Sequence, residues 1–238
     1  MKVTSIILTA FAVGINAQRN ITQPAGCPAL PISSLGNPIP IKPENIPRGC
    51  RDFEILFARG TSEPDFAPDG RYGVVVGDPI YSNLTRVFRD VQGYPVQYPA
   101  SSANDSALMG ATDVIRRLNA QSRACPRQRF ALVGYSQGAG VIRLAANALN
   151  DTRIENKIVA FVGVGDPARR SGRELLLPPA VGRRQYQICA GTGTPDSDPV
   201  CDGFGRGCFF FHLTYIQPAN VKLAVDFLVQ QFRGAERR

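Results

Sequence analysis

Phe130-Ala131-Leu132-Val133-Gly134-Tyr135-Ser136-Gln137-Gly138-Ala139-Gly140-Val141-Ile142-Arg143-Leu144 joins an apolar run of strand length to a small-residue stretch of helical character. At the junction, Gly134-Tyr135-Ser136-Gln137-Gly138 has the G-x-S-x-G spacing of a nucleophile elbow, in which a serine sits on a sharp, strained strand-to-helix turn. The flanking glycines are needed because side chains there would collide with neighbouring backbone. The helix that follows aims its N–H groups at an anionic intermediate. With 23 glycines in 238 residues, the pentapeptide is expected by chance roughly 0.1 times, so its strand-before, helix-after setting carries the argument. Ser136 is the candidate nucleophile.

Outward from this junction, short β-like runs alternate with helical patterns, which predicts an α/β fold: a compact, mainly parallel sheet flanked by helices. The expected strands are Phe53–Phe57, Pro95–Tyr98, Phe130–Val133, Ile158–Val164 and Gln185–Cys189. Helices are expected near 79–91, 105–121, 138–150 and 219–232. In the second, Leu108, Ala111, Ile115 and Leu118 form one apolar stripe; in the last, Val221, Ala224, Phe227 or Leu228, and Phe232 do the same.

Residues 1–17 read as a secretory signal, with Lys2, an apolar core from Ile6 to Val13, and Ile15-Asn16-Ala17 before Gln18. Residues 18–49 form a Pro-rich leader in which seven prolines, from Pro24 to Pro47, prevent regular helix or central strand. Residues 50–238 make one domain. No apolar segment approaches the roughly 20 residues of a membrane span, so a secreted product without stable membrane insertion is expected, and a monomer. Six cysteines can all pair in an oxidising compartment. Sequons at Asn20, Asn83, Asn104 and Asn150 are glycosylation candidates.

The formal charge of +8 is spread among acids without a Lys/Arg run of five or more, which argues against nucleic acid as a partner. One histidine and paired cysteines cannot build a usual zinc site, and no metal or other cofactor is expected.

A serine hydroxyl needs a base, and the base needs an acid to fix its tautomer. His212 is the sole imidazole in the chain and lies C-terminal to Ser136, as a Ser, Asp, His order requires. Between them stand Asp151, Asp166, Asp196, Asp198, Asp202, Glu155 and Glu174. Asp166 ends an apolar strand, and Asp198 lies in a loop that a Cys189–Cys201 bridge would close.

From about Cys50 to the C-terminal helix the chain resembles the cutinase family of small secreted α/β-hydrolases. The resemblance rests on Ala58-Arg59-Gly60-Thr61-Ser62-Glu63, on Cys125 eleven residues before Ser136, on Gly134-Tyr135-Ser136-Gln137-Gly138-Ala139, on Asp198-Pro199-Val200-Cys201 and on His212-Leu213-Thr214-Tyr215. It implies a five-stranded sheet without a lid domain, and Ser136 as nucleophile, His212 as base and Asp198 as acid. It also implies an oxyanion hole from the backbone N–H groups of Thr61 and Gln137. It pairs Cys50 with Cys125 and Cys189 with Cys201, leaving Cys27 for Cys208. A longer acid loop, residues 190–197, departs from the compact family pattern and keeps Asp196 in competition with Asp198. The implied substrate is a polyester, lipid-like ester or acylated polysaccharide. Phe204 and Phe209-Phe210-Phe211 form an apolar rim or pack into the core. The absence of Trp and of clustered Tyr favours cutin-type or medium-chain acyl esters over acetylated xylan. A hydrolase fold retained only for wall binding or host recognition is the competing class.

Overall fold

The computed structural model describes residues 22–30, 37–64, 70–171 and 177–237. The signal segment, Asn20 and Glu174 lie outside them. Five strands, β1 (Phe53–Ala58), β2 (Val91–Pro95), β3 (Arg129–Tyr135), β4 (Ile158–Val164) and β5 (Gln185–Ile188), form one sheet in the order β2-β1-β3-β4-β5. Every pairing is parallel, so the sheet is wholly rather than mainly parallel.

Helices cover both faces, which is why β1, β3 and β4 read as continuous apolar runs. On β1, Phe53, Ile55 and Phe57 face one core; Leu56 and Ala58 face the other. The first core is closed by α1 (Asp78–Leu84) and α7 (Pro218–Glu236), whose buried stripe is Val221, Ala224, Leu228 and Phe232. The second is closed by α2 (Ser106–Ala124) and α3 (Gln137–Ala148), through Ala111, Val114, Leu118, Val141, Ile142 and Ala145. Leu108, which the sequence pattern placed on the buried stripe, is instead 65% exposed. Short helices α4 (Thr152–Lys157), α5 (Pro167–Ser171) and α6 (Pro179–Gly182) complete the connections. Among the described residues no helix is long and apolar enough to cross a membrane.

Two further expectations are corrected. The second strand lies at Val91–Pro95, not Pro95–Tyr98. It is an edge strand, where Gly93 and Pro95 are tolerated because one side of the ladder has no partner strand. Val96 and Tyr98 are buried in the turn beyond it, so their apolar character reports burial, not strand. The helix expected over 79–91 stops at Leu84, with Thr85 as its C-cap.

The strand order reverses direction between β1 and β3, and ligands of open parallel sheets bind at the carboxyl ends of strands flanking such a switch. Gly60 and Thr61 follow β1, and Ser136 follows β3.

Candidate active site

Ser136 adopts φ 52°, ψ −119° at the end of β3. Such a conformation costs a non-glycine residue about 1–3 kcal/mol and persists when its surroundings over-determine it. Here the Ser136 N–H donates to Val164 O (2.9 Å) and its carbonyl accepts the Ala139 N–H (3.0 Å). The glycines are sterically obligatory: a methyl on Gly138 would overlap the Ala58 carbonyl, and one on Gly134 the Gly138 carbonyl. The elbow is thus wedged against the end of β1.

The loop after β1 is equally constrained. The Ser62 N–H donates to Ala100 O (2.7 Å), and the Glu63 N–H to Gly60 O (3.0 Å). The Gly60 N–H donates to Glu63 Oε2 (2.8 Å). Thr61 is therefore held between fixed neighbours. The non-glycine residues with positive φ among those described, Ser62, Ala100 and Ser136, all lie in this interlocked region. Gln137 begins α3, where the first N–H groups have no intrahelical acceptor. Its side chain donates to Ser101 O (2.8 Å) and accepts from Ser106 Oγ (3.3 Å), tying the elbow to the turn that enters α2.

His212 is buried on a 3-10 helix, Phe209–Ile216. Its Nδ1 lies 2.7 Å from Asp198 Oδ2. Asp198 has no exposed surface; its Oδ2 also accepts the Tyr215 hydroxyl (2.5 Å), and its Oδ1 accepts the Val200 N–H (2.8 Å). Burial and the Asp198 charge push the Tyr215 phenol upward, so it remains a donor. The Tyr135 hydroxyl donates to His212 O (2.7 Å), and the two rings stack at 4.9 Å. One residue before Ser136 thereby grips the histidine.

The other acids are engaged elsewhere. Asp196 is on the surface and pairs with Arg206. Asp166 is buried against Arg143 and caps α5. Asp151 caps α4, and Glu155 lies within that helix. Asp202 accepts the N–H groups of Gly193 (2.7 Å) and Phe204 (3.1 Å). Disulfides join Cys27 to Cys208, Cys50 to Cys125 and Cys189 to Cys201; the last closes the loop that carries Asp198. Asn83, Asn104 and Asn150 are exposed.

Sequence reasoning missed Tyr135, Tyr215 and Glu63 as supports of the site. Glu63 stood in the Arg59-Gly60-Thr61-Ser62-Glu63 stretch, but no pattern announced a buried carboxylate. Its Oε1 accepts the Val75 and Val76 N–H groups (2.8 and 3.2 Å). Gly73, at φ +100°, leaves the room: a methyl there would lie 2.5 Å from the carboxyl carbon. Burial raises the Glu63 carboxyl to about 7, against the opposing pull of the Gly60, Val75 and Val76 N–H groups and Arg59.

A carboxyl whose folded pKa is raised binds its proton more tightly in the folded state. Its contribution to stability is complete below about pH 4.5 and lost as pH rises through about 7, some 3 kcal/mol in all. Relative to a Glu63→Gln variant, the wild type should therefore lose about that much stability between pH 4.5 and 7.5. Denaturant titrations of both proteins across this range test it, and parallel pH dependences would contradict it.

A family model described as Cutinase matches residues 49–232. The chain belongs to the cutinase family. It is a carboxylic ester hydrolase of that family. Among similar proteins is the probable carboxylesterase Culp3 of Mycobacterium tuberculosis, 33% identical over 196 residues that cover 78% of this chain and 71% of Culp3. Cutinase 4 of Emericella nidulans is 31% identical over 216 residues, covering 89% of this chain and 83% of that protein. The structure of Trichoderma reesei cutinase in complex with a C11Y4 phosphonate inhibitor aligns with a TM-score of 0.61 at 28% identity, covering 83% of this cutinase-family chain and 79% of the other.

Proposed function

We propose that this protein is a secreted serine esterase that cleaves cutin-type polyesters or medium-chain acyl esters through Ser136, His212 and Asp198. The observation that carries the reading is the buried contact of Asp198 Oδ2 with His212 Nδ1 at 2.7 Å. This contact orients the imidazole so that Nε2 accepts the Ser136 proton as Oγ attacks the ester carbonyl. The N–H groups of Thr61 and Gln137 stabilise the oxyanion, each worth about 3–4 kcal/mol of barrier by analogy with other acyl-transfer sites. His212 then protonates the departing alcohol, and water, activated by the same imidazole, releases the acid from the acyl-enzyme.

Apolar side chains favour an apolar acyl group. Phe209 packs on His212 with ring centroids 5.0 Å apart, and Phe210 and Phe211 meet edge to face, all three half-buried. Phe204, just beyond the bridged loop that carries Asp198, is 71% exposed. Leu108 and Met109 are exposed at the start of α2, next to the Ser106 that meets Gln137. Three disulfides suit an oxidising, extracellular destination.

Release rates from a cutin-type polyester, p-nitrophenyl esters of two to twelve carbons and acetylated xylan test the substrate class. Each added methylene in an apolar site contributes to discrimination, and a preference of about tenfold or more in kcat/KM for medium-chain over acetyl esters is expected. Faster turnover of acetylated xylan than of the polyester would replace this reading with a sugar deacetylase on the same residues.

A further inference from the structure

The helix that carries His212 is weak by construction. A 3-10 helix rarely exceeds three or four residues because its hydrogen bonds are poorly aligned, yet this one spans eight, Phe209–Ile216. Its N-cap, Cys208, offers no side-chain hydrogen bond, and the first N–H groups of a helix need acceptors from outside it. Upstream lies the exposed stretch around Gly203, Phe204, Arg206 and Gly207, which is tied to the acid loop by the Arg206 N–H on Pro195 O (2.9 Å) and by the Arg206–Asp196 pair. The downstream end continues through Gln217 into α7. The first N–H groups at the upstream end need acceptors from outside the helix.

The leader provides one. Gln23 Oε1 accepts the Phe210 N–H at 3.0 Å, across a separation of 187 residues. The amide is held in that orientation by its own Nε2, which donates to Pro28 O at 2.9 Å. Four residues on, Cys27 is bonded to Cys208, the N-cap residue itself, which is 1% exposed. Further along, the leader meets the other side of the site: Asn37 O accepts the Ser62 hydroxyl (2.8 Å), and the Ile39 N–H donates to Pro99 O (2.7 Å).

We infer that Gln23 and Cys27 are positioning residues for His212: the leader caps and staples the N-terminus of its helix, so that residues outside the matched 49–232 segment set the geometry of the base. The inference rests on His212 serving as the base. Sub-ångström placement of an acid–base group is where distant contacts affect rate, and loss of either anchor lowers kcat while leaving ground-state binding nearly untouched.

The test uses the full secreted chain, with Gln23→Ala, Gln23→Glu and the double variant Cys27→Ser/Cys208→Ser assayed on p-nitrophenyl butyrate. For Gln23→Ala and the double variant, kcat should fall about tenfold with KM changed less than about twofold. Gln23→Glu keeps an acceptor for Phe210 but sets a carboxylate oxygen against Pro28 O where Nε2 donated, so its kcat should fall less than that of Gln23→Ala. Amide exchange at Phe210 should accelerate in Gln23→Ala and less in Gln23→Glu. Should the double variant fail to fold, the two Gln23 variants carry the test alone. Wild-type kcat in Gln23→Ala, or a loss of kcat there without faster amide exchange at Phe210, overturns the inference. A His212→Ala control separates the two levels: activity surviving there refutes His212 as base, whereas an inactive control beside fully active leader variants refutes only the leader's role.

Discussion

Replacing Ser136 with Ala is expected to lower kcat on p-nitrophenyl esters by about a million-fold, the loss typical when a triad nucleophile is removed. Ala cannot form the acyl-enzyme, so what survives is the oxyanion hole and substrate binding, roughly 10³–10⁴ over the uncatalysed rate. The fold should be indifferent to the change. Ser136 lies at φ 52°, and Ala carries the same Cβ into the same conformation, so backbone strain is neither added nor relieved. The melting temperature is therefore expected to stay close to that of the wild type, which separates loss of chemistry from loss of structure. Covalent labelling by a phosphonate ester, read by intact mass, should disappear in parallel. If the Ala variant hydrolyses these esters at the wild-type rate, the hydrolysis belongs to another group, and a binding role for the fold regains its place.

The elbow was legible in the sequence because its constraints are local. Gly134 and Gly138 are demanded by backbone atoms within a few residues or on the adjoining strand, and the strand and helix on either side are long enough to show their own patterns. The buried strands were legible for a related reason: a parallel sheet covered on both faces needs runs such as Ile158–Val164 to be apolar throughout. The edge strand Val91–Pro95 was not. It carries Gln92, Gly93 and Pro95, and its pairing with β1 rather than its own composition makes it a strand.

The proposed acid and the groups around it were legible only in part, since burial and partners are products of long-range packing. Spacing to Cys201 favoured Asp198, but Asp196 is two residues away, and what separates them is burial. Likewise, nothing local distinguishes Glu63 or Glu54 from solvated acids. Glu63 is buried because Gly73 leaves space and three N–H groups converge there. Glu54 is buried because Arg117, 63 residues away, reaches it with contacts of 2.9 and 2.6 Å. A buried carboxyl is tolerated where its hydrogen-bond partners are already in place, and that assembly belongs to the fold as a whole.

The proposed role of Asp198 as the acid is open to direct test. Asp198→Asn is expected to lower kcat by about 10⁴, through the histidine tautomer rather than through the fold. The amide has two ways to sit. With its nitrogen in the Oδ1 position, it would face the Val200 N–H, donor against donor. With its nitrogen in the Oδ2 position, the oxygen keeps the Val200 bond, the Tyr215 hydroxyl rotates from donor to acceptor, and the amide donates to His212 Nδ1. The second arrangement keeps the Val200 and His212 bonds and leaves the Tyr215 proton to turn towards the Cys201 sulfur, 3.4 Å from the hydroxyl oxygen. It also forces the imidazole proton onto Nε2, where the ring can no longer accept from Ser136. The variant should therefore fold and bind ester while turning it over very slowly. Asp196→Asn provides the contrast: that carboxylate is exposed and paired with Arg206 on the surface, where single ion pairs contribute little, and its kcat should stay within about twofold of the wild type. An Asp198→Asn protein with near-wild-type kcat would mean that His212 keeps its working tautomer without this carboxylate, and the orienting role would have to pass to the Tyr135 grip on the His212 backbone and ring.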